Sequence, residues 1–304
     1  MSEQLCSVCN DVGDILGSTC QACAGGSWSG YDGCYMSFGG GVQSTALAYL
    51  CINKHPDLMR VSGGVLPSMF LFADTGDEPR AVYEHVARVF ADLRSAGFEC
   101  KTTSKGPALS TTIARARFDI PLWVLSKTGK RAPTRRVCTF DWKVTPLDRA
   151  AKKHFNIDLR RREEPPTIAQ WMGISLDEAQ RTRNSMDVWR HYIYPLIAMK
   201  WTRTDCVNYL TSLGITAPKS ACTFCPFHSD EQWATLPEDE LEKVVALERD
   251  IERMYEEKRG YFGKVQSLPT FHKSGIPIRD KPWVKPDSDG TSGFDNECAG
   301  ICGV

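Results

Sequence analysis

Thirteen cysteines stand among 304 residues, and their spacing is the first chemistry the chain offers. Cys6, Cys9, Cys20 and Cys23 form C-x2-C-x10-C-x2-C. Two such knuckles can present four thiolates tetrahedrally, the geometry Zn²⁺ takes in structural sites, with iron as the alternative occupant. Residues 1–30 are polar and glycine-rich, too few to bury a core without a staple. They read as a zinc ribbon with AGGSWSGYDG as its linker. Cys222 and Cys225 form a further C-x2-C, and Cys298 and Cys302 sit near the last residue. Cys34, Cys51, Cys100 and Cys206 lie in apolar patterns and read as small buried hydrophobes. An odd cysteine count without a secretory leader favours thiols and metal over disulfides, and sets the expected compartment as the cytoplasm.

The second chemical feature is SFGGGVQSTALAYL, Ser37 to Leu50. It lacks the lysine of G-x-x-x-x-G-K-[ST], and Ser44 stands where G-x-G-x-x-G needs its last glycine. A strand, a glycine turn and a helix still cradle an anion without lysine. The donors are then peptide N–H groups, and the helix dipole adds partial positive charge. Gly39, Gly40 and Gly41 permit close approach, while Ser37, Ser44 and Thr45 carry hydroxyl donors. Asp74, Thr75 and Gly76 end the next apolar strand, at the carboxyl edge where such sheets bind ligands. Thr75 can contact a nucleotide there, and Asp74 can hold Mg²⁺ or cap a turn. Lys143 and Arg181 are candidates for neutralising phosphate or sulfate oxygens. Asp177 and Glu178 fit equally as first-turn carboxylates facing a helix dipole.

These residues need elements to position them. CYMSF reads as a short buried strand, Val42 to Ile52 as a helix, SMFLFAD as a second strand, and GFECKTTS as a third. A helix is expected from about Pro79, where proline suits the first turn. DWKVTPLDRAAKKHF reads as helix, TIAQWMGIS as a strand running into a helix over SLDEAQRTRNS, and WTRTDCVNYLTSL as a helix capped by Thr202 or Thr204. Residues 105–136 read as irregular and basic, 228–258 as further helices, and the last thirty as an extended tail. Strands alternating with helices imply an α/β fold, a doubly wound parallel sheet. The expected organisation is a ribbon over 1–30, the nucleotide-binding α/β domain over 31–227, and a helical region with the cysteine tail over 228–304. Lysine plus arginine balances aspartate plus glutamate at 37 each, so no global charge steers the chain to nucleic acid or membrane. No run of eighteen apolar residues spans a bilayer. Two local basic stretches remain: Lys127, Lys130, Arg131, Arg135 and Arg136, and LRRREE at 159–164.

Several segments carry a resemblance. GGGVQST resembles the pyrophosphate loop S-G-G-x-D-S-[ST] of the PP-loop ATP-pyrophosphatase superfamily, and SFG with Gln43 resembles the variant loop of phosphoadenylyl sulfate (PAPS) reductases. FADTGDEPRAVYEHV is similar to that family's D-T-G strand and P-E-T-Y helix start. VCTFDWKVTPL is similar to C-C-x-x-R-K-V-x-P-L of adenylyl sulfate (APS) reductases. WMGISLDEAQRTR, YPLIAMKWTRTDCVNYL, CTFC and NECAGICGV resemble, in order, their G-I-R-x-D-E-S-x-x-R, N-P-L-x-x-W-[ST]-x-x-D-V-x-x-Y, C-x-x-C and terminal E-C-G-[LI]-H. The chain is thus identified as a member of the PAPS reductase family, with the ribbon outside the resemblance.

The resemblance implies an adenine nucleotide, PAPS, APS or ATP, on Ser37, Gly39, Gly40, Gly41, Gln43, Ser44, Thr45, Asp74, Thr75 and Gly76. It also implies a [4Fe–4S] cluster. Thr139 replaces one cysteine of the family's pair, so Cys138, Cys222 and Cys225 are the ligands, and the fourth position is open or filled by Cys298 or Cys302. Zinc on the three thiols and His228 is the alternative. Cys298 is the implied nucleophile, with Lys143 and Arg181 assisting, and a thioredoxin-like partner resolves its adduct. Ala299, Gly300 and Cys302 depart from the family's terminal pattern. Two further readings stand beside the reductase. One is an ATP-dependent sulfur transferase acting on nucleic acid, with Mg²⁺ where ATP is the substrate. The other is a non-catalytic nucleotide- and zinc-binding protein. Gln43, acidic in typical ATP-cleaving loops, favours a sulfonucleotide, whereas the extra glycine with Ser44 and Thr45 favours ATP.

Overall fold

The computed structural model describes residues 28–114, 119–126, 128–160, 164–257 and 267–283, with a short antiparallel ladder between Asp14–Ile15 and Ser18–Thr19. The ribbon cysteines Cys6, Cys9, Cys20 and Cys23, the tail cysteines Cys298 and Cys302, and Lys127 lie outside the described residues.

Among those residues the strands are β1 Gly33–Ser37, β2 Met69–Asp74, β3 Glu99–Ser104, a hairpin of β4 Trp123–Leu125 and β5 Arg131–Pro133, β6 Ile168–Trp171 and β7 Arg190–Ile193. Five of them form one parallel sheet in the order β3-β2-β1-β6-β7. The α-helices longer than four residues are α1 Val42–Ile52, α2 Pro56–Ser62, α3 Arg80–Ser95, α4 Thr145–His154, α5 Arg203–Ser212, α6 Asp230–Thr235 and α7 Glu238–Glu257. One sheet face is covered by α1, α2, α3 and α5, whose Leu47, Leu50, Leu58, Val86 and Leu210 pack against Met36, Phe70 and Trp171. The other is covered by α4, whose Leu147 and Ala151 meet Tyr35, Met69 and Leu71. With both faces buried, β2 reads as an unbroken apolar run, MFLFA, rather than an alternation. Strand β3 lies at the edge and is blunted by exposed Glu99 and Lys101. The expected doubly wound α/β sheet is the fold the chain adopts.

Helix α3 follows Pro79 and buries Val82, His85, Val86, Val89, Phe90 and Leu93, a stripe at three- and four-residue spacing. Thr202, not Thr204, opens α5, in a capping box with Asp205. Two elements depart from expectation. Strand β7 emerges from a stretch with no apolar run, because its Arg190 is buried through ion pairs with Asp148 and Asp187 and a 3.1 Å bond to Gln170. The expected helix over SLDEAQRTRNS forms only a 3-10 run, Leu176–Arg181, with Glu178 outside helical φ/ψ. The Glu178 carboxylate is drawn across to α1 instead, as described below. A third core joins Leu109, Ile113, Leu122 and Trp142 to Phe224, Trp233, Val244, Ile251 and Phe271. It packs the C-terminal helices against the loops that follow β3.

Candidate active site

Strand β1 has β2 on one side and β6 on the other, so the loop after it lies where the winding reverses direction, the place where open α/β sheets bind ligands. That loop is Phe38–Gly41. Gly40 has φ +77°, a left-handed conformation that a side chain rarely tolerates. Gly41 is the N-cap of α1 and offers no side-chain cap, and the helical ladder begins with Thr45 N–H to Gly41 O at 2.9 Å. The amides of Val42, Gln43 and Ser44 therefore have no intrahelical acceptor and stand at the positive end of the helix. Gly39, Gly41, Val42, Gln43 and Ser44 line a cleft of about 950 Å³, counted out to its open mouth. Its lining of backbone, apolar and charged groups suits a small-molecule or cofactor site.

The opposite walls are basic. Arg181, Arg183, Arg203 and Lys219 line the same cleft, with Glu178, Ser220, Cys225, Phe227 and His228. Gln43 ties the walls together: its amide nitrogen donates to Glu178 Oε2 at 2.9 Å, and its oxygen accepts from Arg203 Nη1 at 3.0 Å. Arg181 Nη1 donates to Glu178 Oε1 at 2.6 Å. The chain Arg203–Gln43–Glu178–Arg181 thus holds two guanidinium groups beside the α1 N-terminus. An acid at position 43 would put two carboxylates in contact here, which gives the glutamine a local reason independent of the ligand. Ser220 donates its hydroxyl to Gly39 O and pins the loop from the far wall.

The other expected nucleotide contacts have structural duties. Ser37 is buried and accepts from Gln170 Nε2 at 2.6 Å. Thr45 is buried beneath the loop, 2.8 Å from His85 Nε2. Arg88 Nη2 lies 3.0 Å from His85 Nδ1. A guanidinium only donates, so Nδ1 accepts and Nε2 carries the proton toward Thr45. Burial pulls His85 down to about 4, keeping it neutral. Asp74 caps its own turn, its Oδ1 accepting from Gly76 N at 2.7 Å and Tyr83 OH at 2.8 Å. Gly76 has φ +76°, and a Cβ there would stand 2.2 Å from Pro107 O. Thr75 is fully buried and donates to Glu78 Oε1 at 3.0 Å.

Glu78 leads to the second cavity. Lys143 Nζ lies 3.4 Å from Glu78 Oε1, both side chains nearly sealed from water. Cys222 Sγ is 3.7 Å from the same oxygen and 3.5 Å from Thr75 Oγ1. Cys138, Thr139, Lys143, Cys222 and Cys225 line one cavity of about 380 Å³, with Arg136 and Phe227. The three cysteines named from sequence are thus brought together, and Cys225 and Phe227 form a wall shared with the nucleotide cleft. Burial pushes the Cys222 thiol well up, and the Glu78 charge adds to the effect. Among the described residues, no three His, Cys, Asp or Glu side chains gather closely enough to hold a single metal ion. His228 contacts Cys222 O through Nε2 at 2.9 Å, and burial lowers it to about 4. Zinc on the three thiols and His228 therefore has no support. Thr139 is 9 % exposed, and its hydroxyl has no hydrogen-bond partner among the described residues, a deficit worth about 1–3 kcal/mol.

Lys143, expected at the anion, lines the thiol cavity, whereas Arg181 lines the cleft. Arg183, Arg203, Lys219 and Glu78 went unnoticed as site residues in the sequence. The usable signal was position: Arg203 is the first residue of a helix, where a cation opposes the dipole, and Lys219 stands three residues before Cys222. Of the basic loop, Arg136 stacks over Phe227 at 5.2 Å, and Arg131 packs its guanidinium against Gly275. The chain's own groups thus engage both, and nothing here supports a nucleic-acid surface.

A family model described as phosphoadenosine phosphosulfate reductase domain matches residues 33–219, from β1 to the cleft wall. Among solved structures, the chain is similar to the phosphoadenylyl-sulfate (PAPS) reductase from Candida auris in a phosphate complex. The identity is 14% over 62% of this chain and 75% of that one, with a TM-score of 0.39. No curated protein matches it in sequence.

Proposed function

The chain belongs to the phosphoadenosine phosphosulfate reductase domain family, a family of enzymes, and we propose that it cleaves the sulfur–oxygen bond of an adenine sulfonucleotide held at the α1 N-terminus. The observation that carries this reading is the cleft itself. Three amides without intrahelical acceptors face four cationic side chains, Arg181, Arg183, Arg203 and Lys219. Its acid, Glu178, is already engaged by Arg181 and Gln43. Such a site binds a polyanion through peptide donors and charge-assisted bonds.

Cys298 is assigned the nucleophile's role. Its thiolate attacks the substrate's sulfur, an S–S bond forms, and the S–O bond to the phosphate breaks. The electron pair leaves on the phosphate oxygen, where the α1 amides and the cleft's cations stabilise it. A thioredoxin-type dithiol then attacks the Cys298 sulfur, releases sulfite and is oxidised to a disulfide. The tail starts near the site: Trp283 lies 6.2 Å from Trp233, which lies 4.8 Å from His228 on the cleft wall. The fifteen residues from Trp283 to Cys298 reach up to about 50 Å when extended.

Cys138, Cys222 and Cys225 are the residues that would hold a [4Fe–4S] cluster. A cavity lined by three thiols and a buried hydroxyl without a partner among the described residues supports that assignment. When bound, the cluster supplies redox-active irons and polarises the nearby cleft. Lys143, between Glu78 and the cavity, keeps a positive charge at that wall. The four ribbon cysteines are assigned one structural zinc, and the division into 1–30, 31–227 and 228–304 is retained with them.

ATP-dependent sulfur transfer is the second reading, favoured by the three-thiol cavity, since an iron without a thiolate can carry sulfur. Incubation of the anaerobically prepared chain with ATP, APS or PAPS and a dithiol separates the two. Sulfite from a sulfonucleotide is expected; AMP and pyrophosphate from ATP, without sulfite, overturns the reductase reading.

A further inference from the structure

Two neighbouring carboxylates on the cleft wall reach for different helices. Asp177 Oδ1 accepts from the backbone N–H of Arg203, the first residue of α5, at 3.0 Å. Glu178 Oε2 turns the other way and accepts from Gln43 Nε2 on α1 at 2.9 Å. Held from both sides, the Leu176–Arg181 run leaves helical φ/ψ at Glu178, with φ −109° and ψ 16°. That is close to the sparsely allowed bridge region, where many active-site residues sit. Gln43 is buried, and its amide is spent within the protein. Its nitrogen meets Glu178 and lies 3.5 Å from Ser175 Oγ, and its oxygen accepts from Arg203 Nη1 at 3.0 Å. A carboxylate only accepts and a guanidinium only donates, so the amide has one orientation that suits both partners. Among the described residues that line the cleft, Glu178 is the only acid.

Resting on the sulfonucleotide-cleft reading above, we propose that Gln43 is a positioning residue rather than a ligand contact. With Glu178 it forms an amide–acid pair that fixes Arg203 on one side and Arg181 on the other, beside the α1 N-terminus. The pair works because one member is an amide and the other an acid. Two acids would repel across the 2.9 Å contact and would cancel a further positive charge of the wall. Two amides would leave Arg181 without its charged partner at 2.6 Å. The order of the two is exchangeable, however. With the acid on α1 and the amide on the 3-10 run, the amide nitrogen at position 178 donates to the carboxylate at position 43, which accepts from Arg203. The amide oxygen then accepts from Arg181, and the chain of four is rebuilt with the same net charge. A side chain that touched the ligand itself would not be interchangeable in this way.

The test uses the full chain carrying Cys298→Ser, so that affinity is read without turnover. To this parent are added Gln43→Glu, Gln43→Met, or Gln43→Glu together with Glu178→Gln. Calorimetry with APS gives the affinity, and thermal melts show that each variant is folded. Gln43→Glu should weaken binding by more than about tenfold. Gln43→Met adds no charge but releases both arginines, and should weaken it by about three- to tenfold. The exchanged double variant should return to within about threefold of the parent. A double variant as weak as Gln43→Glu, or a Gln43→Met that binds as the parent does, overturns the positioning role. Should Gln43→Glu fail to fold, those two variants decide the matter without it. If the parent binds neither APS, PAPS nor ATP, the cleft reading itself falls, and the inference with it.

Discussion

Replacing Glu78 with glutamine perturbs the contact that links the two cavities. The substitution preserves size and still offers Thr75 an acceptor, but it removes the charge that faces Lys143 at 3.4 Å. The Glu78 side chain is wholly buried and that of Lys143 is 9 % exposed, so water does little to screen the loss. Removing one partner of a buried pair costs about 3–5 kcal/mol. At roughly 2–4 °C per kcal/mol, the melting temperature should fall by about 6–20 °C. Glu78→Gln combined with Lys143→Met removes both charges and should recover most of that loss, as happens when a buried pair is replaced by apolar groups. Thermal melts of wild type, both single variants and the double variant give the coupling. A fall below about 1 kcal/mol for Glu78→Gln, the range of exposed pairs, would refute the view that this pair is a sealed link. So would a double variant no better than the worse single one.

Three further outcomes follow from the same geometry. Gly76→Ala should destabilise by at least about 2 kcal/mol in a melt, combining left-handed strain with a Cβ 2.2 Å from Pro107 O; a neutral variant would contradict the loop as described. Gly41→Val should leave the melt nearly unchanged, since Gly41 has φ −93° and its Cβ would meet only Ser220 at 3.5 Å. It should nonetheless weaken nucleotide binding more than about tenfold by calorimetry, about 1.4 kcal/mol, by standing between the ligand and the α1 amides. Burial raises Glu248 from 4.5 to about 7, while it accepts from Phe271 N at 3.3 Å and Ile278 N at 2.7 Å. A raised folded value stabilises fully below 4.5 and is lost as pH climbs through 7. The Phe271 and Ile278 amides should therefore exchange more readily at pH 8 than at pH 5 after correction for intrinsic rate, and Glu248→Gln should flatten that difference.

The glycine turn and the first three strands were legible in the sequence because each is a local signal. An apolar run, a glycine turn or a spacing carries its meaning within a few residues. Strand β7 was not legible: RHYI reads as polar until Asp148, 42 residues earlier, neutralises Arg190. Thr45 reads as a phosphate donor, and His85, 40 residues later, donates to its hydroxyl oxygen from Nε2. Glu178 looked like a helix-start carboxylate, but Gln43, 135 residues earlier, draws it across the cleft. In each case a polar side chain was claimed by a partner that only the sheet brings near, and no periodicity records such a claim. The order of the basic wall was hidden for the same reason, since Arg181, Arg203 and Lys219 come from three separate segments after β6.

The central claim is that a sulfonucleotide held on α1 gives its sulfur to Cys298. The most direct measurement is mass spectrometry of the wild-type chain and of Cys298→Ser after incubation with APS or PAPS in the absence of dithiol. One sulfonate adduct, mapped to Cys298, is expected on the wild type only, with nucleotide affinity equal in the two proteins. An adduct on another cysteine, or no adduct on a wild type that binds the nucleotide, would contradict it.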